Sequence, residues 1–202
     1  IIMKTSTRAI IALFISVSLW SCSEKKTSSG DVYFNKGEYE KAALEYSEDL
    51  KYKPNDVRML YNRGRANEEQ GNYEDAKADY EKALEVDPNN FQVLLSLANV
   101  HYNEKNYTNA LLYADQAAEI SGAPAMASFM KARALQQLGK PDEALKAYGN
   151  AISLDKEFGQ AYYNRGLLKV AMKKLGASCE DFQLAKALEY PGADEAYAKY
   201  CK

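Results

Sequence analysis

Histidine and tryptophan occur once each in this 202-residue chain, at His101 and Trp20, and cysteine three times, at Cys22, Cys179 and Cys201. An enzyme needs an acid/base or nucleophile constellation, a metal cluster or a cofactor motif, and the lone His101 falls among core-facing positions beside Ala98 and Asn99. No glycine-rich phosphate loop is present; Gly64 and Gly166 stand singly inside helical patterns. Carboxylates are scattered, and several have a lysine four residues away, the pattern of solvated helix faces. A basic excess is also missing: 26 Lys and Arg face 28 Asp and Glu, for a formal charge of -2. The basic stripe of a nucleic-acid binder is therefore not expected. These absences predict a protein that is no enzyme, holds no cofactor or metal, and binds no nucleic acid.

Long apolar runs are equally scarce. The longest, Ala9 to Leu19, is about 11 residues, too short to span a bilayer. It follows the basic stretch Met3-Lys4-Thr5-Ser6-Thr7-Arg8 and precedes Leu19-Trp20-Ser21-Cys22. Basic, then apolar, then small is the order of a secretory signal. Leu19, Ser21 and Cys22 resemble the lipobox of bacterial lipoproteins, with Trp20 bulkier than that pattern usually has. The resemblance implies a signal peptide over 1–21 that is removed, and lipidation of Cys22. It also implies membrane attachment through the lipid, in a bacterial cell envelope, on the periplasmic side or the surface. Residues 22–29, with Glu24, Lys25, Lys26 and serines, read as the lipidated cysteine and a polar linker.

What the chain has in quantity is tyrosine, 16 in all, and a period of 34 that places several of them. Tyr61-Asn62-Arg63-Gly64 returns as Tyr163-Asn164-Arg165-Gly166, three periods on. Gly37, Gly71 and Gly139 share one lattice, with Lys105 and Lys173 in its remaining slots. Ala42, Ala76, Ala110, Ala144 and Ser178 share a second; Tyr46, Tyr80, Ala114, Tyr148 and Phe182 share a third. A fixed period in this range means stacked supersecondary units. Each period carries two helical patterns. In the second unit these are Val57 to Gln70 and Tyr73 to Val86, divided by Gly71-Asn72 and closed by Asp87-Pro88.

Small residues at the eighth, twentieth and twenty-seventh places and aromatics near the seventeenth and twenty-fourth resemble the tetratricopeptide repeat. The unit 57–90 matches with Gly64, Tyr73, Ala76, Tyr80, Ala83 and Pro88. The others, 23–56, 91–124, 125–158 and 159–192, keep most of these positions. Departures include Asp49, Ala114, Gly122, Pro141, Lys156, Leu175 and Ser178. The resemblance implies an all-α fold, a right-handed α-solenoid of about five helix-turn-helix units over 30–192. Residues 193–202 are expected to form a capping helix, with Ala196, Tyr197 and Tyr200 on one face. The opening helix should be short, because the linker consumes half of it.

In that family the first helices line a concave groove that receives a peptide or protein. The groove positions carried over are Arg58, Tyr61, Asn62, Arg65, Glu68 and Glu69; Gln92, Leu95, Ser96, Asn99, Tyr102 and Asn103; Met126, Phe129, Met130, Arg133, Gln136 and Gln137; and Gln160, Tyr163, Asn164, Leu167, Val170 and Ala171. Of these, Arg58, Tyr61, Asn62, Arg65, Asn99, Tyr102, Phe129, Arg133, Tyr163 and Asn164 are the expected partner-binding residues. Aromatic rings and arginines dominate binding hot spots, and asparagines can pair with an extended backbone. The Lys-Asn-Asn-Lys-Arg clamp of chaperone-binding members is matched in neither register. The expected function is a lipid-anchored, non-enzymatic protein-interaction scaffold. The alternatives are a component of an outer-membrane protein assembly or secretion complex, and a carrier of small ligands or glycans. His101 is expected to be structural. Cys179 and Cys201 either bridge, pinning the C-terminus through a loop of about 22 residues, or remain two buried thiols.

Overall fold

The computed structural model describes residues 28–201; the expected signal peptide over 1–21 and the expected lipidation site Cys22 lie outside the described residues. Among the described residues there are eleven α-helices and no strand. They are α1 (Ser29–Asn35), α2 (Tyr39–Tyr52), α3 (Val57–Glu69), α4 (Tyr73–Val86), α5 (Phe91–Asn103), α6 (Tyr107–Glu119), α7 (Ala125–Gln137), α8 (Pro141–Leu154), α9 (Gly159–Ala171), α10 (Leu175–Ala187) and α11 (Ala193–Tyr200). α1 has seven residues, whereas α3, α5, α7 and α9 have 13 each.

Consecutive helices pack on one another along the whole chain, which is the order of an α-solenoid rather than of a single central core. First helices of neighbouring pairs also meet, α3 with α5 and α5 with α7. Where like helices converge, the arc is shorter, so α3, α5 and α7 line the inner side of the curve.

The sequence ends each first helix with one repeated device. After α3, Gly71 takes φ 78°, its N–H donates to the Glu68 carbonyl, and the next N–H, of Asn72, donates to the Asn67 carbonyl. This is the Schellman termination. It recurs after α1 at Gly37, after α5 at Lys105, after α7 at Gly139 and after α9 at Lys173. Lys105 (φ 62°) and Lys173 (φ 61°) take the left-handed conformation in spite of their Cβ, at a cost of about 1 kcal/mol each. Starts of first helices also follow the period. Asp56 accepts from the Met59 N–H (3.1 Å) and Asn90 from the Val93 N–H (3.3 Å). In the same slot Pro124 and Phe158 offer no side-chain cap.

The two helices of a pair are spaced by a ring lying on a glycine. Tyr46, Tyr80 and Phe182 are fully buried. A Cβ built on Gly30, Gly64 or Gly166 would stand 2.5, 2.6 or 2.8 Å from the ring of Tyr46, Tyr80 or Phe182 respectively. In the third pair both sides are small, Ala98 and Ala114; in the fourth, Ala132 and Tyr148 share a core cluster with Phe129, Leu135 and Ile152.

The arginines of the recurring Tyr-Asn-Arg-Gly tetrapeptide have one job in both places. Arg63 grips the buried Asp79 through Nε (2.9 Å) and Nη2 (2.6 Å). Arg165 grips the buried Asp181 in the same fork (3.0 and 2.6 Å), with Lys169 at 2.8 Å. Bidentate pairing of this kind stabilises a carboxylate that burial alone would disfavour.

At the C-terminal end, α11 buries Ala193 and Ala196 against the last pair, and Tyr200 stacks on Phe182 with ring centroids 5.9 Å apart. Cys179 and Cys201 meet there, with Sγ atoms 2.11 Å and Cα atoms 5.5 Å apart.

Replacing Lys105 and Lys173 by glycine removes the Cβ strain at both turns. Each change is expected to raise stability by about 0.5–1 kcal/mol, read as a higher urea midpoint with an unchanged slope. A lower midpoint for both variants would show that the lysine side chains contribute more than the strain costs.

Candidate partner-binding groove

The period stacks side chains of successive first helices into columns. One column holds Asp31, Arg65, Asn99 and Arg133; a second, three residues on, holds Phe34, Glu68, Tyr102 and Gln136. Each member of the first column from Arg65 on rests on the second-column residue of the preceding unit. The Arg65 guanidinium lies 4.5 Å from the Phe34 ring centroid. The Asn99 amide donates to Glu68 Oε1 (2.9 Å). The Arg133 guanidinium lies 4.0 Å from the Tyr102 centroid. Cation on ring, amide on carboxylate, cation on ring: four units lock their inner faces with three contacts of equal sequence separation.

The carboxylates of this face are heavily partnered. Asp31 accepts from the Tyr46 hydroxyl (2.7 Å), Asn62 Nδ2 (3.0 Å), Arg58 Nη1 (3.1 Å) and the Ser28 N–H (3.3 Å). Burial pushes the Asp31 carboxyl up, but these donors together outweigh it and hold its pKa below the ordinary value. Glu68 accepts from the Tyr80 hydroxyl (2.8 Å) as well as from Asn99. Burial first, and the Glu68 carboxylate second, push the Tyr80 hydroxyl far above the usual range, so it stays a donor. The Tyr148 hydroxyl donates to Gln136 (3.0 Å).

Two clefts open between these columns. One, of about 340 Å³, is lined by Asp31, Phe34, Asn35, Tyr46, Asn62 and Arg65. The other, of about 330 Å³, spans α3, α5 and α7 and is lined by Tyr61, Glu68, Gln92, Leu95, Ser96, Asn99, Met126 and Met130. All eight of these are positions that the repeat assigns to the inner face.

The ten expected contact residues divide accordingly. Tyr61, Asn62, Arg65 and Asn99 line the clefts. Arg58 is exposed, paired with Asp31. Tyr102 and Arg133 are half-buried in their stack. Phe129 must be corrected: it is 1% exposed, with its ring 5.0 Å from Phe158 and 5.8 Å from Tyr148, and offers no surface to a partner. Phe158 fills a slot that caps a helix elsewhere, and its ring draws Phe129 inward. Tyr163 is half-covered by Tyr190 (5.1 Å) and Phe182 (6.0 Å). The Asn164 amide is turned back to the Gln160 carbonyl (2.8 Å). In the fifth pair, Tyr163 and Asn164 are thus partly engaged within the pair and by the turn that follows it. Sequence reasoning passed over Asp31 and Phe34, because the first unit is truncated; carrying the period back from Arg65 and Glu68 would have found both.

His101 is buried between α4 and α6. It stacks on Tyr113 with ring centroids 5.5 Å apart, and its Nδ1 has no hydrogen-bond partner. Burial, and next the Lys77 ammonium, lower its pKa; Glu104, Glu81 and Glu74 act in the opposite sense. Among the described residues no three His, Cys, Asp or Glu side chains are grouped as a metal site, and no helix is long and apolar enough to cross a membrane.

Because the folded pKa of His101 lies below the unfolded value, about 6.5, the unfolded chain takes up the proton first as pH falls. The neutral ring's contribution is fully present above about pH 6.5 and is lost on acidification. Between pH 7.5 and 5.5 the urea midpoint of the native chain should fall by more than that of His101→Phe, which keeps the stack on Tyr113. Equal falls would place the sensitivity elsewhere.

Sequence models of the tetratricopeptide repeat match residues 57–90 and 79–111, and a further one, described as TPR repeat, matches 30–71 and 132–173. No curated protein matches the chain. Among solved structures, MamA is 24% identical, with a TM-score of 0.74 over 85% of this chain and 98% of its own. YrrB, described as "a TPR protein with an unusual peptide-binding site", is 23% identical, with a TM-score of 0.69 over 84% and 88%. PilF of Pseudomonas aeruginosa is 17% identical, with a TM-score of 0.73 over 85% of each chain. At these identities the likeness is one of fold.

Proposed function

The chain is built from tetratricopeptide repeats, and on that premise we propose that it is a non-enzymatic scaffold that holds a peptide or protein partner on its inner face. The observation that carries this is the 330 Å³ cleft spanning α3, α5 and α7. Leu95, Met126 and Met130 supply adaptable apolar contact, and Gln92, Ser96 and Asn99 supply hydrogen-bonding groups beside it. A surface that alternates apolar and amide groups suits an extended chain, whose side chains and backbone need both. The Leu19-Trp20-Ser21-Cys22 pattern supports lipid attachment at Cys22, which would hold the scaffold on a membrane of a bacterial envelope. Several acyl chains give durable anchoring where one does not.

A photoreactive residue in place of Ser96 is expected to capture a defined protein from native membranes, while the same residue in place of Lys82, exposed on α4, captures none. In a Cys22→Ser chain the protein should move to the soluble fraction. Identical adducts from both positions, or none from Ser96, would refute the groove as the binding face. Membrane retention of the Cys22→Ser chain would refute the lipid.

In an exported chain, Cys179 and Cys201 stand to be oxidised to a disulfide. By the chain-entropy estimate, closing the 22-residue loop contributes about 3 kcal/mol. Reductant, or Cys201→Ser, is expected to lower the urea midpoint to the same extent. Two free thiols in the denatured, unreduced protein would show that the bond is not made.

A further inference from the structure

Arg65 and Arg133 occupy the same column two periods apart, with Asn99 between them. Both guanidinium groups lie over aromatic rings, Phe34 and Tyr102, and among the described residues neither makes an ion pair. The other arginines among the described residues do: Arg58 with Asp31, Arg63 with Asp79 and Arg165 with Asp181. The two carboxylates that could neutralise the groove, Asp31 and Glu68, are already held by tyrosine hydroxyls and asparagine amides from neighbouring elements. Glu69, one turn on from Arg65, is exposed and makes no ion pair with it.

A guanidinium held over a ring keeps its charge and N–H donors while losing rotamer freedom; of these donors, Arg133 Nη1 reaches only the weak acceptor Met130 Sδ, at 3.8 Å. Such a guanidinium is set up for a carboxylate that the chain itself does not provide. The apolar stretch formed by Leu95, Met126 and Met130 lines the cleft that also holds Asn99, the residue between the two arginines in their column. Packed helices lie 8–10 Å apart, so two steps from α3 to α7 cover roughly 16–20 Å. An extended peptide advances about 3.3 Å per residue, which spaces the two charges about five or six residues apart.

We propose that the groove's partner is an extended acidic peptide segment, with two carboxylates five or six residues apart and apolar side chains between them. The carboxylates pair with Arg65 and Arg133; the apolar side chains enter the cleft lined by Leu95, Met126 and Met130. This rests on the inner face being the binding face. The specificity is local, because the chain as a whole carries net negative charge and repels acidic ligands elsewhere.

The test is fluorescence anisotropy with the labelled probe Ser-Asp-Gly-Leu-Ser-Leu-Gly-Asp-Ser. Controls are the same peptide with both Asp changed to Asn, and one with the two Asp adjacent. Expected is binding at least tenfold tighter for the probe than for either control, weakening as salt rises. Arg65→Gln and Arg133→Gln should each cost about tenfold, as loss of one bidentate charged contact does. Arg65→Lys, which keeps the charge and loses the fork, should fall between. Melting temperature of each variant, followed by circular dichroism, controls for folding. Equal binding of probe and Asn control overturns the proposal. So does unchanged probe affinity in the folded Arg65→Gln/Arg133→Gln chain, or competition by heparin where the probe itself does not bind. A protein captured at Ser96 with equal yield in that double variant would leave the groove reading standing and remove this one.

Discussion

The inner face depends on a steric bargain between the two helices of the first, second and fifth pairs. A ring at one place on the second helix presses into a gap that a missing Cβ leaves on the first. Tyr46 on Gly30, Tyr80 on Gly64 and Phe182 on Gly166 leave less than 3 Å for any added carbon. Interiors are packed too tightly to absorb such an atom without movement. The contact therefore fixes the distance and rotation within a pair. With the pairs set in this way, residues 34 apart fall into line.

The line-up explains a correlation inside the chain. A buried hydroxyl must find an acceptor, and each one does. Where the ring is Tyr80 or Tyr148, the first helix supplies Glu68 or Gln136. Where the ring is Phe182, which has no hydroxyl, the same slot is Val170. Where the ring shrinks to Ala114, the slot holds an aromatic, Tyr102, which serves as the platform for Arg133. The first pair departs from this: the slot is Phe34, and the Tyr46 hydroxyl donates instead to Asp31, three residues earlier.

Much of this was legible from the period alone: the helix pairs, the turns between them, the cap and the inner-face positions. The lysines at Lys105 and Lys173 marked turns only because glycines held the same slot elsewhere; nothing in lysine itself announces a positive φ. Phe129 was misjudged because its burial follows from Phe158, 29 residues on, replacing a capping side chain. The asparagines were read as free donors, yet Asn62 and Asn99 each serve a carboxylate of the preceding unit. Such contacts depend on how units stack, and a column of letters becomes a contact only when the inter-unit distance is known.

The two ends of the solenoid differ. At the C-terminus α11, the Phe182–Tyr200 stack and the Cys179–Cys201 contact close the last pair. At the N-terminus α1 is seven residues long, and its hold on the rest runs through Asp31, Phe34 and the buried ring of Tyr46. In a linear array whose units touch only neighbours, opening starts at the weaker end and travels. Opening of α1 would strip Arg58 of its counter-ion and Arg65 of its ring. The molecule can lose its first unit and with it the rigidity of one arm of the groove, while the far end stays shut.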